Sequence, residues 1–166
     1  MTELIVIAGA PGSGKSTLSE QLKADLGSVA IDFGHLRDPH LDPLWSNTSE
    51  SEHEMAFENL IFTLNNYFKH GYQNVMVEDL LDRRIGDLCR IFAERSVRIF
   101  TLVLNADERR ARIEARAAGW TDVDRAIVWD GAIRRRPLYP NETLIDTSGR
   151  SVSSIADEVL ELLKTR

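Results

Sequence analysis

At 166 residues the chain suits one domain, 1–166, which buries about 70% of its unfolded surface without covalent staples. A net charge of −6 argues against a broad duplex-binding face, whose affinity rests on many Lys and Arg, while leaving room for a small anion in a local basic site. Cys89 alone excludes an intrachain disulfide, no apolar run approaches the roughly 18 residues of a membrane span, and the start Met1-Thr2-Glu3 lacks a signal peptide's basic stretch, so the expected compartment is the cytoplasm.

The first apolar run, Leu4 to Ala8, reads as a buried parallel strand and leads directly into Gly9-Ala10-Pro11-Gly12-Ser13-Gly14-Lys15-Ser16-Thr17. This is a phosphate-binding P-loop in the strand-loop-helix context that the motif requires. The glycines let the chain curl so that backbone N–H groups around Gly12, Ser13 and Gly14 approach phosphate oxygens, and the following helix adds the positive end of its dipole. Lys15 is placed to reach the β- and γ-phosphates, Ser16 to ligate Mg²⁺, and Thr17 to hold an α-phosphate. The dinucleotide fingerprint G-x-G-x-x-G is absent.

Further strands are expected at Val29–Ile31, Val75–Val77, Val97–Leu104 and Thr143–Ile145, with helices between them. Leu18, Leu22 and Leu26 stripe the first helix, which Gly27 ends. Pro39 to Ser51 is the least regular stretch and reads as a loop over the site. A Ser51-x-x-Glu54 capping box predicts the start of a second helix, striped by Phe57, Leu60, Ile61, Leu64 and Phe68 and closed at Gly71. Ile85, Leu88, Cys89 and Phe92 stripe the next, with Cys89 as a buried small hydrophobe. Helices from about Ala106 to Ala118, from about Asp122, and around Ile155, Val159 and Leu162 complete the alternation. The pattern predicts a three-layer α/β/α fold with ligands at the carboxyl ends of the strands.

Asp32 ends the second strand and is the candidate base that orients an acceptor hydroxyl; the alternative is a helix N-cap. Glu78-Asp79 ends the third strand as in Walker-B sites, with Asp79 expected to hold Mg²⁺ through water and to stand on the acceptor side; loop solvation or capping is the alternative. The order Glu then Asp reverses the pair typical of motor ATPases. His35, Arg37, His40 and Trp45 lie where an acceptor pocket forms, whereas His53 and His70 are expected to face solvent. Eight of the sixteen arginines fall between Arg109 and Arg136. Arg112 and Arg116, spaced i, i+4, are expected to share one helical face toward the phosphates and act in catalysis, with surface pairing to Glu108 and Glu114 as the alternative. Among Arg134, Arg135 and Arg136, at least one is a candidate to close over the phosphates.

These features resemble the small P-loop kinases of the nucleoside-monophosphate-kinase class, including shikimate and gluconate kinases, chloramphenicol phosphotransferase and polynucleotide kinase. The likeness covers nearly the whole chain. It implies a five-stranded parallel sheet in the order 2-3-1-4-5, ATP with Mg²⁺ as donor, a small-molecule hydroxyl acceptor, and an arginine-rich lid at about 116–137. It implies Asp32 as base, Asp79 as the acid after strand three, and Arg112 and Arg116 as the R-x-x-x-R pair that opens the lid. The ending Leu144-Ile145-Asp146-Thr147-Ser148-Gly149 is similar to the adenine-wrapping loop of the class, which places Ser148 at the nucleotide. Shikimate kinases carry a second acid two residues after the first and a glycine-rich loop after strand three; Gly34 and Leu80-Leu81 stand there instead, which argues against shikimate. Polynucleotide kinase places its base three residues before an arginine, whereas Gly34 precedes Arg37 at that distance. Two other readings stand beside a small-molecule kinase: a nucleotide-dependent switch or ATPase acting on a protein partner, and a kinase of nucleic-acid ends. Oligomeric state is not encoded in any motif.

Overall fold

The structure is a computed structural model that describes residues 2–117 and 119–165. Met1 and Arg166, the ends of the expected domain, and Ala118, the expected end of one helix, lie outside the described residues. The chain runs β1 (Leu4–Gly9), α1 (Lys15–Leu26), β2 (Ala30–Asp32), α2 (Phe33–Arg37), α3 (Glu50–Lys69), β3 (Val75–Glu78), α4 (Asp82–Ile91), β4 (Val97–Val103), α5 (Ala106–Glu114), α6 (Val123–Arg135), β5 (Glu142–Asp146) and α7 (Val152–Lys164). All strand pairs are parallel, in the order β2-β3-β1-β4-β5. The predicted sheet order is therefore present.

The strands are apolar on both sides because helices cover both faces, as parallel sheets require. Leu4, Val6 and Ala8 of β1 join Val75 and Val77 in a core beneath α3 and α4, with Phe57, Leu60, Leu64, Ile85 and Leu88. The alternate residues Ile5 and Ile7 join Met76, Phe100 and Leu102 beneath α1 and α7, with Leu18, Leu22, Ile155 and Val159. A one-residue slip of β1 would exchange these two sets. The register aligns Ile7, Glu78 and Asp32 across three neighbouring strands, so the carboxylates ending β2 and β3 stand beside the mouth of the P-loop.

Three expectations need correction. The second predicted helix begins earlier: Ser49, not Ser51, is its N-cap and accepts from the Glu52 N–H at 3.1 Å, while the Glu52 carboxylate goes to Arg37. Its closure is at His70, with Gly71 following at φ +81°. The fifth helix ends at Glu114, with Ala115 as its cap, well before Ala118. The short helix α2 has no expected counterpart, and it follows because Asp32 caps it, accepting from the Gly34 N–H at 2.7 Å. Among the described residues, no helix is long and apolar enough to cross a membrane.

Candidate active site

The P-loop is held in a shape that only its sequence permits. Gly9 sits at φ +138°, and a Cβ there would lie 2.5 Å from the Leu102 carbonyl oxygen, a backbone atom that cannot swing away. Gly14 is the N-cap of α1 at φ 99°, without a side-chain cap and with no acid in the first turn. Among the described residues α1 is the one helix with neither device: α2, α3, α5, α6 and α7 are capped by Asp32, Ser49, Asn105, Asp122 and Ser151, and α4 opens with Asp82. Helix termini leave N–H groups that need partners, and those of α1 receive no side-chain cap among the described residues. Gly12 and Ser13 are buried in the loop, and the Ser13 hydroxyl has no partner. Ser16 and Thr17 are exposed on the first turn.

Lys15 folds back over the loop, donating to the Gly9 carbonyl at 3.0 Å and lying 3.5 Å from Asp79 Oδ1. Asp79 occupies a left-handed conformation at φ 59° and faces Asp32 across Gly34. A Cβ on Gly34 would lie 3.0 Å from Asp32 Oδ1 and 3.3 Å from Asp79 Oδ2, so the glycine admits both carboxylates. Asp32 is at once cap and site residue: Oδ1 is taken by Gly34, while Oδ2 has only the exposed His35 Nδ1 at 3.9 Å. Glu78 is buried, and its Oε2 has no hydrogen-bond partner. Burial pushes its carboxyl above the ordinary carboxylate range, with Asp32 and Asp79 adding to the effect and the Ser16 hydroxyl and Lys15 opposing it.

Oxygen donors from Ser16, Glu78 and Asp79 fit a hard divalent cation. Among the described residues no cluster of three or more His, Cys, Asp or Glu is arranged to hold a metal.

Arg112 lies on the P-loop, NH1 3.5 Å from the Ser13 carbonyl and NH2 3.4 Å from Glu108. The expected shared face with Arg116 is not formed. The helix has ended by then, Arg116 donates its backbone N–H to Ile113 at 3.2 Å, and its side chain is exposed. The span 116–137 is occupied largely by α6, and its arginines have separate tasks. Arg134 pairs with Asp130 at 2.7 Å, while Arg136 is clamped between Asp82 and Glu142, which raises its pKa through those hydrogen bonds. Arg136 is thus an internal strut, and Arg135 is exposed.

Ser148 stands on the opposite rim, its hydroxyl donating to Asp146 Oδ1 at 2.6 Å and accepting from the Asn105 N–H at 3.0 Å. Glu108 holds the same loop through the Gly149 N–H at 2.9 Å. On the acceptor side, Arg37 is buried and forms a two-point pair with Glu52 at 3.0 and 2.8 Å. Trp45 covers it, with the guanidinium carbon 5.1 Å from the ring centroid.

Sequence reasoning passed over two side chains, Arg109 and Asp130, and misplaced a third, His53. Arg109 is fully buried and donates to the Pro11 carbonyl and to Asp130, tying the P-loop to α6. Its i, i+4 spacing from Ile113, the buried apolar residue of α5, was the available signal. Asp130 also accepts from the Leu104 N–H at 3.2 Å. His53 was expected at the surface but is 3% exposed, edge-on to Phe33 at 5.2 Å, with neither ring nitrogen partnered. Its spacing of three, four and seven from Ala56, Phe57 and Leu60 puts it on the buried stripe of α3. His70 is exposed as expected.

A family profile describing the AAA domain matches residues 5–129. The chain belongs to this family of P-loop domains. Among solved structures, the tunicamycin resistance protein of Deinococcus radiodurans is similar at 18% identity and a TM-score of 0.73, covering 100% of this chain and 98% of that one. A sugar kinase from Janibacter sp. shares 15% identity at a TM-score of 0.71, covering 98% and 95% of the two chains. The APS kinase of Mycobacterium tuberculosis, solved with AMPPNP and APS, shares 17% identity at a TM-score of 0.67, covering 99% and 98%. These likenesses establish the shared fold. No curated protein matches by sequence.

Proposed function

We propose that this protein is an ATP-dependent phosphotransferase that moves the γ-phosphoryl group to a hydroxyl of a small molecule. The observation that carries the reading is the meeting of three things at one sheet edge: an uncapped α1 N-terminus, Lys15 held against the loop, and the Asp32 carboxylate with one oxygen uncommitted. A triphosphate entering the loop takes Lys15 from the Gly9 carbonyl, and the amides of Gly12 to Thr17 receive its oxygens. Arg112 is in reach of the same phosphates through its place over Ser13. Arg116, exposed after α5, is a candidate to close on them with the 116–137 segment. Ser148 and its loop form the rim for the base.

In the transfer step the acceptor oxygen forms a bond to the γ-phosphorus, the bond from that phosphorus to the β–γ bridging oxygen breaks, and ADP leaves. The acceptor proton passes to Asp32 Oδ2, the oxygen that Gly34 does not occupy. Ser16, Glu78 and Asp79 would hold Mg²⁺, which supplies charge neutralisation at the β- and γ-phosphates. His35, Arg37, Trp45 and Asp79 form the acceptor side. Acceptor-stimulated ADP release across a panel of hydroxylated metabolites, nucleosides and antibiotics tests the reading. Phosphorylated product must appear in step with ADP; ADP formed at the same rate with and without every acceptor, but faster with a protein partner, would favour a switch instead.

A further inference from the structure

The charges around the acceptor side carry a statement about substrate class, which rests on the kinase reading above. Enzymes that select a carboxylate or phosphate on their acceptor present an available guanidinium, whose fork matches those groups. Here each arginine on that side is already committed. Arg37 is paired at two points by Glu52, roofed by Trp45, and has a side chain only 10% exposed. Arg83 is paired with Glu50 at 2.9 Å, and Arg84 with Glu54 and Asp87. The first turn of α3, whose N–H groups would otherwise attract an anion, carries Glu50 and Glu52. Opposite stands Asp32 with one oxygen uncommitted, while Lys15, Asp79 and the buried Glu78 serve the phosphates and the cation they would carry.

An anionic acceptor would therefore meet the Asp32 carboxylate, and the described arginines beside it, Arg37, Arg83 and Arg84, are already paired, at a position that also receives a triphosphate. We infer that the acceptor carries no negative charge: it is a neutral or amine-bearing hydroxyl compound, seated between the Asp32–Asp79 pair and the outer face of Trp45. Trp45 is 46% exposed, and its ring offers an apolar face for a sugar-like or cyclic body and a favourable surface for an ammonium group. Specificity here arises from built-in repulsion as much as from attraction.

The test uses the wild-type protein with Mg-AMPPNP and three probes of one skeleton, gluconate, glucose and glucosamine, in calorimetry, alongside acceptor-stimulated ADP release for a panel grouped by charge. The expected result is that compounds raising ADP release at least about tenfold are neutral or amine-bearing, and that gluconate gives no saturable heat with wild type. Glu52→Gln, which frees Arg37, should bind gluconate at least about tenfold more tightly than wild type, with unchanged far-ultraviolet circular dichroism as the control for folding. A carboxylate or phosphate compound ranking first in the wild-type panel, or saturable gluconate binding to wild type that Arg37→Ala abolishes, overturns the inference. So does a folded Glu52→Gln that gains nothing. Absence of AMPPNP binding would instead remove the kinase reading and the inference with it, whereas AMPPNP binding with an anionic acceptor ranking first overturns the inference alone.

Discussion

Asp130→Asn probes the buried pair that ties α6 to the P-loop. Asparagine keeps the shape and an Oδ1 acceptor for the Leu104 N–H, 3.2 Å away, and loses the charge and the Oδ2 acceptor of Arg134. Arg109, fully buried, then has only neutral acceptors, the Pro11 carbonyl and the amide oxygen, and its charge stays desolvated without a counter-ion. Removing one member of a buried pair costs about 3–5 kcal/mol, and the retained acceptor places this variant near the lower figure. For a chain of this size that is a fall in Tm of about 6–12 °C. The paired replacement Arg109→Met with Asp130→Leu removes both charges. Replacing a buried pair by apolar residues is often neutral, but the Leu104 N–H then loses its acceptor at about 1–3 kcal/mol, so the double variant should recover only part of the loss. Nucleotide affinity should not return. The Pro11 carbonyl has lost a charged donor worth about 1.5–3 kcal/mol, and AMPPNP binding should stay weakened about tenfold or more. Urea unfolding followed by circular dichroism measures the first quantity and calorimetry the second. An Asp130→Asn protein within about 1 kcal/mol of wild type, or a double variant less stable than the single, would refute the reasoning.

Other expectations concern neighbouring residues. Asp32→Asn should reduce turnover by at least about 10²-fold with nucleotide affinity little changed; full activity in steady-state assays would remove Asp32 from proton transfer. Gly9→Ala should abolish nucleotide binding or folding, because its Cβ would stand 2.5 Å from the Leu102 carbonyl; unchanged calorimetry and Tm would contradict the loop geometry. Burial lowers the pKa of His53, with Arg37, Arg84 and Arg83 adding to the effect and Glu52 opposing it. The unfolded chain then takes up the proton first, so the stability from neutral His53 is full above about pH 6.5 and is lost as pH falls below it. His53→Phe, which keeps the edge contact to Phe33, should flatten the decline in Tm between about pH 7 and 5 relative to wild type. Parallel declines would show that His53 does not titrate between the two states.

The features legible from sequence were those fixed by short-range chemistry. The P-loop needs its glycines, lysine and serine in consecutive order, and the strands needed only continuous apolar runs. What misled was sequence with two equivalent solutions. Ser49-Glu50-Ser51-Glu52-His53-Glu54 contains two overlapping capping boxes, and local rules rank them equally. Tertiary contact chooses the first, because it turns Glu52 inward to Arg37 and His53 onto the core stripe. The same limit applies to arginine: spacing alone could not separate Arg136, clamped by two carboxylates, from Arg112 on the phosphate loop. Asp32 had two readings, cap and base, and its two oxygens let both stand.

The central claim is that a nucleoside triphosphate seats on the amides between Gly9 and Thr17 with Lys15 across it. Calorimetric titration of Mg-AMPPNP into wild type and Lys15→Ala tests it most directly. Saturable binding by wild type, weakened at least about 10²-fold in the variant, a loss of about 2.7 kcal/mol, is the predicted result. Equal binding by both proteins, or no heat from adenine or guanine nucleotides with either, would contradict it.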